Sequence, residues 1–192
     1  PLAIPNLAVD WEMAADAKSF TLYLRRGVKY SDGVEFTADD IMFWYNDQYK
    51  NEELAQAWRS EWPPLTAEKI DDYTVRYTFP EPSPGIIHAF ASATWWGSQS
   101  MAFQPAHYAR QFHIDYNDDA ADLTKEAGFD HWYQLYQNKT QFSRGSVMNP
   151  ELPVVAPWLV EEIEPGHVTM VRNPYYFKVD TEGNQLPYID YK

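Results

Sequence analysis

The stretch from Ser19 to Asp40 constrains the fold of this chain most, because it carries three structural signals in succession. Apolar and polar residues alternate over Phe20–Arg25, which is the pattern of a half-buried β-strand. Asp32-Gly33 is a turn signal, since glycine adopts positive φ at no steric cost. Thr37, with Asp40 three residues later, has the pattern of a helix N-cap with an acidic partner. The stretch therefore predicts a strand, a tight turn and a capped helix.

Similar local patterns recur along the rest of the chain and predict three β-hairpins with helices between them. The hairpins pair Leu7–Trp11 with Ser19–Arg25, Ala67–Ile70 with Thr74–Phe79, and Trp158–Ile163 with Val168–Arg172. The helices cover residues 38–49, 83–90, 106–112 and 123–136, the last broken near Gly128, and 137–153 is predicted as a surface loop. Short hairpins separated by helices indicate an α+β fold. Periodicity leaves open whether the hairpins share one sheet or form two.

Composition excludes several classes of function. The formal net charge of −13, without a cluster of lysines and arginines, argues against nucleic-acid binding, because phosphate contacts require clustered positive charge. The absence of cysteine excludes thiolate zinc sites and cysteine catalysis. No apolar run reaches the ~18 residues that a membrane span needs. No signal peptide is visible, and the start at Pro1 suggests a piece of a longer protein.

One acidic segment matches part of a calcium-binding loop. Asp115, Asn117, Asp119 and Glu126 stand at the spacing of ligands 1, 3, 5 and 12 of an EF-hand. The sixth position of such a loop requires glycine for a sharp turn, and here it is Ala120. We therefore prefer an acidic surface loop that caps the next helix, and we expect neither a metal ion nor another cofactor.

Adjacent carboxylates at Asp71-Asp72, Asp118-Asp119 and Glu161-Glu162 could in principle serve acid–base chemistry. Glycosidases place two carboxyl groups across a cleft, so a glycoside hydrolase fragment is kept as an alternative. Adjacent acids in turns are more often exposed, and the scattered histidines are interpreted as ordinary surface or core residues. We therefore expect a protein that is not an enzyme.

Aromatic residues are plentiful and supply the candidate ligand contacts. Trp95 and Trp96 stand beside small residues, and tryptophans in such settings line pockets for sugars or peptide side chains. Trp158 lies on a predicted strand, which favours the core, but it also closes the unusual segment Val154–Trp158 and is kept as a third candidate. The aromatic surplus alone would also suit a carbohydrate-binding module, which stays an alternative.

Short motifs spread over much of the chain carry a family resemblance. They include L-R-R-G-V-K-Y-S-D-G-V-E-F-T-A-D-D-I over Leu24–Ile41, D-D-Y-T-V over Asp71–Val75 and R-N-P-Y-Y over Arg172–Tyr176. Pro5–Trp11, Glu164–Gly166 and Gly183–Asp190 supply further pieces in the same order. The whole set resembles the family 5 extracellular solute-binding proteins, the receptors of peptide-type ABC importers.

This resemblance implies an architecture and a function. Members of the family are two-lobed, class II periplasmic-binding-protein-like molecules that close on a ligand. Residues 1–103 would form the small subdomain of the N-terminal lobe and residues 104–192 part of its larger subdomain. The protein would capture a small solute, an oligopeptide or an oligosaccharide, outside the cytoplasmic membrane and deliver it to a membrane ABC permease. Val154–Trp158 replaces the frequent G-T-G-P-Y, which leaves the solute class open.

Overall fold

The computed structural model describes residues 3–54, 64–91, 104–140 and 149–192. The strands are β1 (Ala8–Met13), β2 (Ser19–Leu24), β3 (Thr66–Asp71), β4 (Thr74–Thr78), β5 (Trp158–Glu164) and β6 (His167–Arg172). The α-helices are α1 (Ala38–Phe43), α2 (Ile86–Ala91), α3 (Ala106–Ala109), α4 (Ala120–Glu126) and α5 (Trp132–Thr140). Antiparallel hairpins with helices between them confirm the predicted α+β class. None of the helices in these ranges has the length and apolar character needed to span a membrane.

The first two hairpins share one antiparallel sheet of four strands, in the order β1-β2-β4-β3. Phe20, Leu22 and Leu24 on β2 are buried as the alternation predicts. Thr21, expected on the exposed face, is buried as well. It lies between Glu12 on β1 and Arg76 on β4, so neighbours on both sides cover its short side chain. The question of one sheet or two is thereby answered for these hairpins.

The start of α1 has the capping box that the sequence predicts. Thr37 accepts a hydrogen bond at its side chain from the Asp39 N–H, and a carboxylate oxygen of Asp40 accepts one from the Thr37 N–H at 3.0 Å. The other carboxylate oxygen of Asp40 accepts from the N–H of Ala106, the first residue of α3, also at 3.0 Å. A single buried carboxylate therefore satisfies donors at the starts of two helices. Beyond Phe43 the chain continues as a π-helix over Trp44–Tyr49.

The chain folds into two compact units. Unit 1 comprises Pro1–Arg26 and Thr37–Ala106, and it contains the four-stranded sheet. Unit 2 comprises Gly27–Phe36 and His107–Lys192, and it contains the β5–β6 hairpin. The assignment of residues 1–103 and 104–192 to subdomains of a lobe stays a prediction.

The third hairpin forms a separate two-stranded sheet in unit 2. Its turn places Gly166, which follows Pro165, at a φ of +81°, the left-handed region that a type II turn requires at its third residue. The end of the chain adds a short bridge to β6, because Met170 and Lys192 exchange two main-chain hydrogen bonds of 2.8 Å.

The predicted surface loop over residues 137–153 is wrong at its beginning. Helix α5 continues through residues 137–140, and the Thr140 hydroxyl donates to the carbonyl of Tyr136 at 2.8 Å. Thr140 and, further on, Leu152 are buried. The polar residues of this stretch hid the helical face that Leu135, Tyr136 and Thr140 share.

Candidate functional site

The loop Gly27–Phe36, here called the Asp-Gly loop, is a tight hairpin within unit 2. Its main chain is closed by hydrogen bonds from the Tyr30 N–H to the Val34 carbonyl at 2.8 Å and from the Phe36 N–H to the Val28 carbonyl at 2.8 Å. The side chains of Val28, Tyr30 and Phe36 are fully buried. These three anchors fix a loop whose other residues are polar residues, two glycines and the exposed Val34.

Gly33 at the tip of the Asp-Gly loop is required for two reasons. Its φ is +90°, which L-amino acids rarely adopt. A Cβ atom there would also lie 3.2 Å from the hydroxyl oxygen of Tyr175. The glycine of the Asp-Gly signal therefore permits both the turn and the close approach of Tyr175.

Asp32 ties the Asp-Gly loop to α3. One carboxylate oxygen lies 2.7 Å from Nε2 of His107, and the other accepts from the Val34 N–H at 3.2 Å. The His107 ring also packs edge-on against Tyr30, with ring centroids 5.5 Å apart. His107 is thus a half-buried structural residue of unit 2, in line with the sequence interpretation.

Ser31 connects the same loop to the segment Val154–Trp158. The Ser31 N–H donates to the Val154 carbonyl at 2.9 Å, and the Ser31 Oγ accepts from the Val154 N–H at 3.1 Å. Both polar groups of the Val154 main chain are therefore held by one serine that lies 123 positions earlier in the sequence.

Asn173 holds the segment from its other side. This residue is 0% exposed, and its side-chain amide donates to the carbonyls of Ala156 at 2.8 Å and Val154 at 3.3 Å. Its main-chain N–H donates to the Pro157 carbonyl at 2.9 Å, and its side-chain oxygen accepts from the Tyr175 N–H at 2.9 Å. We call Ser31 and Asn173 together the 154–157 clamp.

A second loop supports the turn that contains Asn173. The carboxylate of Asp180 accepts hydrogen bonds from the Tyr188 hydroxyl at 2.6 Å and from the side-chain amide of Asn184 at 2.9 Å. These bonds, with others from main-chain N–H groups, hold the pKa of Asp180 well below its usual range. The Gln185 side chain from this loop donates to the carbonyls of Pro174 at 2.7 Å and Tyr176 at 2.9 Å. Sequence reasoning assigned no such role to this loop.

Trp158, the third candidate contact, follows directly after the clamped segment. It is half-buried and opens β5, where it pairs with Arg172 across the hairpin. Among the described residues, its indole ring forms neither a hydrogen bond nor a contact with another aromatic ring. The clamp therefore fixes the backbone next to a half-buried aromatic side chain. Trp95 and Trp96 lie outside the described residues.

The four candidate calcium ligands are engaged differently. Asn117 donates to the Gln111 carbonyl at 2.6 Å and accepts from the Asp119 N–H at 3.0 Å. Asp119 occupies the N-cap position of α4 but makes no side-chain capping bond, so capping by this residue's side chain is not observed. Asp115 and Glu126 are exposed. Over the described ranges, no group of three or more His, Cys, Asp or Glu residues could hold a metal ion.

The adjacent carboxylates are exposed in all three pairs. In the first pair, Asp71 accepts from the Tyr73 N–H at 2.7 Å and the Thr74 hydroxyl at 3.0 Å, and these bonds lower its pKa. Asp72 lies 2.8 Å from the amine of Lys69. This pair therefore shapes the β3–β4 turn.

Comparison with known protein families agrees with the fold and with the sequence motifs. The model of the bacterial extracellular solute-binding proteins, family 5 Middle, matches residues 3–191. The chain therefore belongs to the family 5 bacterial extracellular solute-binding proteins, which are periplasmic or extracellular binding receptors.

Two relatives by sequence illustrate the range of the family. The periplasmic alpha-galactoside-binding protein of Rhizobium meliloti is 35% identical over 97% of this chain and 24% of its own length. The di/tripeptide-binding protein 3 of Pseudomonas aeruginosa is 31% identical over 57% of this chain and 22% of its own length. The chain spans about a quarter of the length of these relatives.

Two solved structures share the fold over 97% of this chain. An oligopeptide-binding protein OppA has a TM-score of 0.81 at 35% identity, and the match covers 29% of that protein. The periplasmic binding protein MelB of Agrobacterium fabrum, in complex with stachyose, has a TM-score of 0.71 at 29% identity and is covered to 26%. These matches confirm the expected periplasmic-binding-protein fold.

Proposed function

We propose that this chain is part of a receptor that captures an oligosaccharide of the α-galactoside class for an ABC importer. The observation that carries the solute class is the extent of similarity. The alpha-galactoside-binding relative matches 97% of the chain, whereas the di/tripeptide-binding relative matches 57%. The fold shared with a stachyose-bound protein supports the same class.

The candidate site supports a role in binding without catalysis. Trp158 offers an aromatic face of the kind that stacks on sugar rings, next to a backbone segment fixed by the 154–157 clamp. The paired carboxylates lie exposed in turns and on β5, which does not suit the opposed carboxyl groups of a glycosidase. The receptor works outside the cytoplasmic membrane and passes its solute to a membrane permease.

The proposal extends to the architecture of the whole receptor. Residues 1–103 and 104–192 belong to the two subdomains of an N-terminal lobe, and a second lobe completes the enclosure. Closure follows from a higher affinity of the solute for the closed state than for the open state. Family membership favours this receptor over a free-standing carbohydrate-binding module or a hydrolase fragment.

An oligopeptide is the second candidate solute. It is favoured by the match to the oligopeptide-binding protein OppA, whose TM-score of 0.81 exceeds that of the stachyose-bound protein. A peptide side chain could pack on Trp158 as a sugar ring would, so the two classes have to be separated by binding measurements.

Calorimetric titration of the full-length receptor that contains this sequence tests the proposal. Stachyose and raffinose are compared with tri- and pentapeptides, and we expect saturable binding of the sugars alone. Trp158→Leu should weaken sugar binding about tenfold, since stacking contributes ~0.5–1.5 kcal/mol beyond the buried area. Trp11→Leu, at another half-buried tryptophan, is the matched control and should bind as the wild type does.

Three other results of the titration would contradict parts of the proposal. If peptides bind and the sugars do not, the solute class is peptides rather than α-galactosides. If neither class binds, the proposed receptor function is contradicted. Release of reducing sugar during the titration would show that the protein is an enzyme.

A further inference from the structure

We propose that the main-chain N–H groups of Val155 and Ala156, with the indole ring of Trp158, form a solute-binding edge. The edge takes a solute that presents acceptor oxygens beside a flat apolar face. This inference rests on the proposed function and names the groups through which unit 2 would contact the solute.

Almost every other main-chain polar group of residues 154–157 is already used. The N–H of Val154 is bound by Ser31, and its carbonyl accepts from both Ser31 and Asn173. The carbonyls of Ala156 and Pro157 accept from Asn173, and proline has no N–H. The clamp thus fixes the backbone at both ends of the segment.

Two adjacent donors are left over. No described residue accepts a hydrogen bond from the N–H of Val155 or of Ala156, and both residues are half-buried. A main-chain donor without a protein partner is available to water or to a ligand. Because the clamp already orders this backbone, a solute that binds these donors avoids the entropic cost of ordering it.

The chemistry of the edge selects the kind of solute. Two N–H donors require acceptor oxygens on the solute. The ring of Trp158, two residues after Ala156, suits the apolar face of a pyranose, whose hydroxyl oxygens lie at the rim of that face. A peptide carbonyl could accept from the same donors, so the experiment includes both solutes.

Amide NMR on the full-length receptor tests the edge directly. The protein is labelled with ¹⁵N-valine and ¹⁵N-alanine, and the Val155 and Ala156 signals are assigned with Val155→Ile and Ala156→Ser. Saturating stachyose should shift both signals downfield and slow their exchange with solvent at least tenfold. The Val154 amide is an internal control, because Ser31 already binds it, and it should change little.

Loosening the clamp provides a second readout. Ser31→Ala removes the Oγ that accepts from Val154 and should weaken stachyose binding about fivefold. The matched control is Ser83→Ala, which removes a hydroxyl bonded only to the nearby Glu81 carbonyl and should leave affinity unchanged.

Each outcome decides a separate question. Stachyose binding with unchanged Val155 and Ala156 amides overturns the edge and leaves the proposed function standing. Shifts with tetra-alanine and none with stachyose retain the edge and reassign its solute to peptides. Failure of both solutes to bind overturns the proposed function and the edge together. An unchanged affinity in Ser31→Ala would show that the clamp does not position the edge.

Discussion

At the scale of single residues, two buried polar side chains of this chain differ sharply in how well they are satisfied. Asn173 uses its main-chain N–H, its side-chain amide and its side-chain oxygen in hydrogen bonds. Tyr77 on β4 is equally buried, packs near Phe20 and Phe90, and has a hydroxyl that finds no partner in the described part of the chain. This burial raises the pKa of Tyr77.

We expect Tyr77→Phe to stabilise the protein. An unpaired buried hydroxyl costs ~1–3 kcal/mol, and phenylalanine fills nearly the same space without it. The midpoint of thermal unfolding should rise by a few degrees (~2–4 °C per kcal/mol). Tyr108→Phe is the control, because the Tyr108 hydroxyl accepts from Asn149 at 2.7 Å, and its loss should lower the midpoint. A lower midpoint for Tyr77→Phe would mean that its hydroxyl has a partner.

At the scale of elements, the starts of α1 and α3 depend on one carboxylate. Asp40→Ala should destabilise the protein by ~2–4 kcal/mol, since hydrogen bonds to a charged group contribute ~1.5–3 kcal/mol each and the N-cap box is lost as well. The neighbouring substitution Asp39→Ala removes an exposed ion pair with Lys69, whose amine lies 2.7 Å from the Asp39 carboxylate. It should lower the free energy of unfolding by at most ~1 kcal/mol. Urea unfolding of both variants measures the difference. Equal effects would contradict the role of Asp40 in two helices.

The elements also show where sequence reasoning works and where it stops. The hairpins and the capping box depend on neighbouring residues, so local sequence patterns could predict them. This holds for β1–β2, β3–β4, β5–β6 and the Thr37 cap. The pairing of β2 with β4, which joins two hairpins, has no local signal. The hydrogen bond from the Ala106 N–H to Asp40 joins residues 66 positions apart, and it also has no local signal in the sequence. The end of α5 was misplaced because polar residues cover its last turn.

At the scale of the whole molecule, stability should depend on pH through hydrogen-bonded carboxylates. The pKa of Asp180 and that of Asp71 are lowered from an ordinary value of 3.8 in the folded state. The unfolded chain therefore binds more protons as the pH falls below about 4, and stability decreases there. Above that range both groups are ionised in either state, and their contribution is complete and constant.

Thermal unfolding between pH 7 and pH 2.5 tests this dependence. Asp180→Asn should lower the midpoint at pH 7 and make its decline below pH 4 shallower than in the wild type. Asp16→Asn is the control, since this exposed carboxylate accepts a single hydrogen bond within the described ranges, from the Lys18 N–H at 2.9 Å, and it should keep close to the wild-type slope. An Asp180→Asn curve parallel to that of the wild type would contradict the role of Asp180.

The candidate site was only partly visible in the sequence. Trp158 and the segment before it were nominated by composition and by their departure from the family pattern. Ser31 and Asn173 lie inside motifs that identify the family, but no local sequence pattern indicates that they bind residues 154–157. Their hydrogen bonds cross 123 and 17 positions of the chain and exist only after folding.

The two hydrogen bonds between Ser31 and Val154 also set an order of events during biosynthesis. At ~5–20 residues per second, Ser31 is made roughly 6–25 s before the valine 123 positions later. The Asp-Gly loop can close its own hairpin in that interval, but its serine has no permanent partner yet. Whatever the loop does before then, its two hydrogen bonds to Val154 can form only once the chain between Ser31 and Val154 is complete.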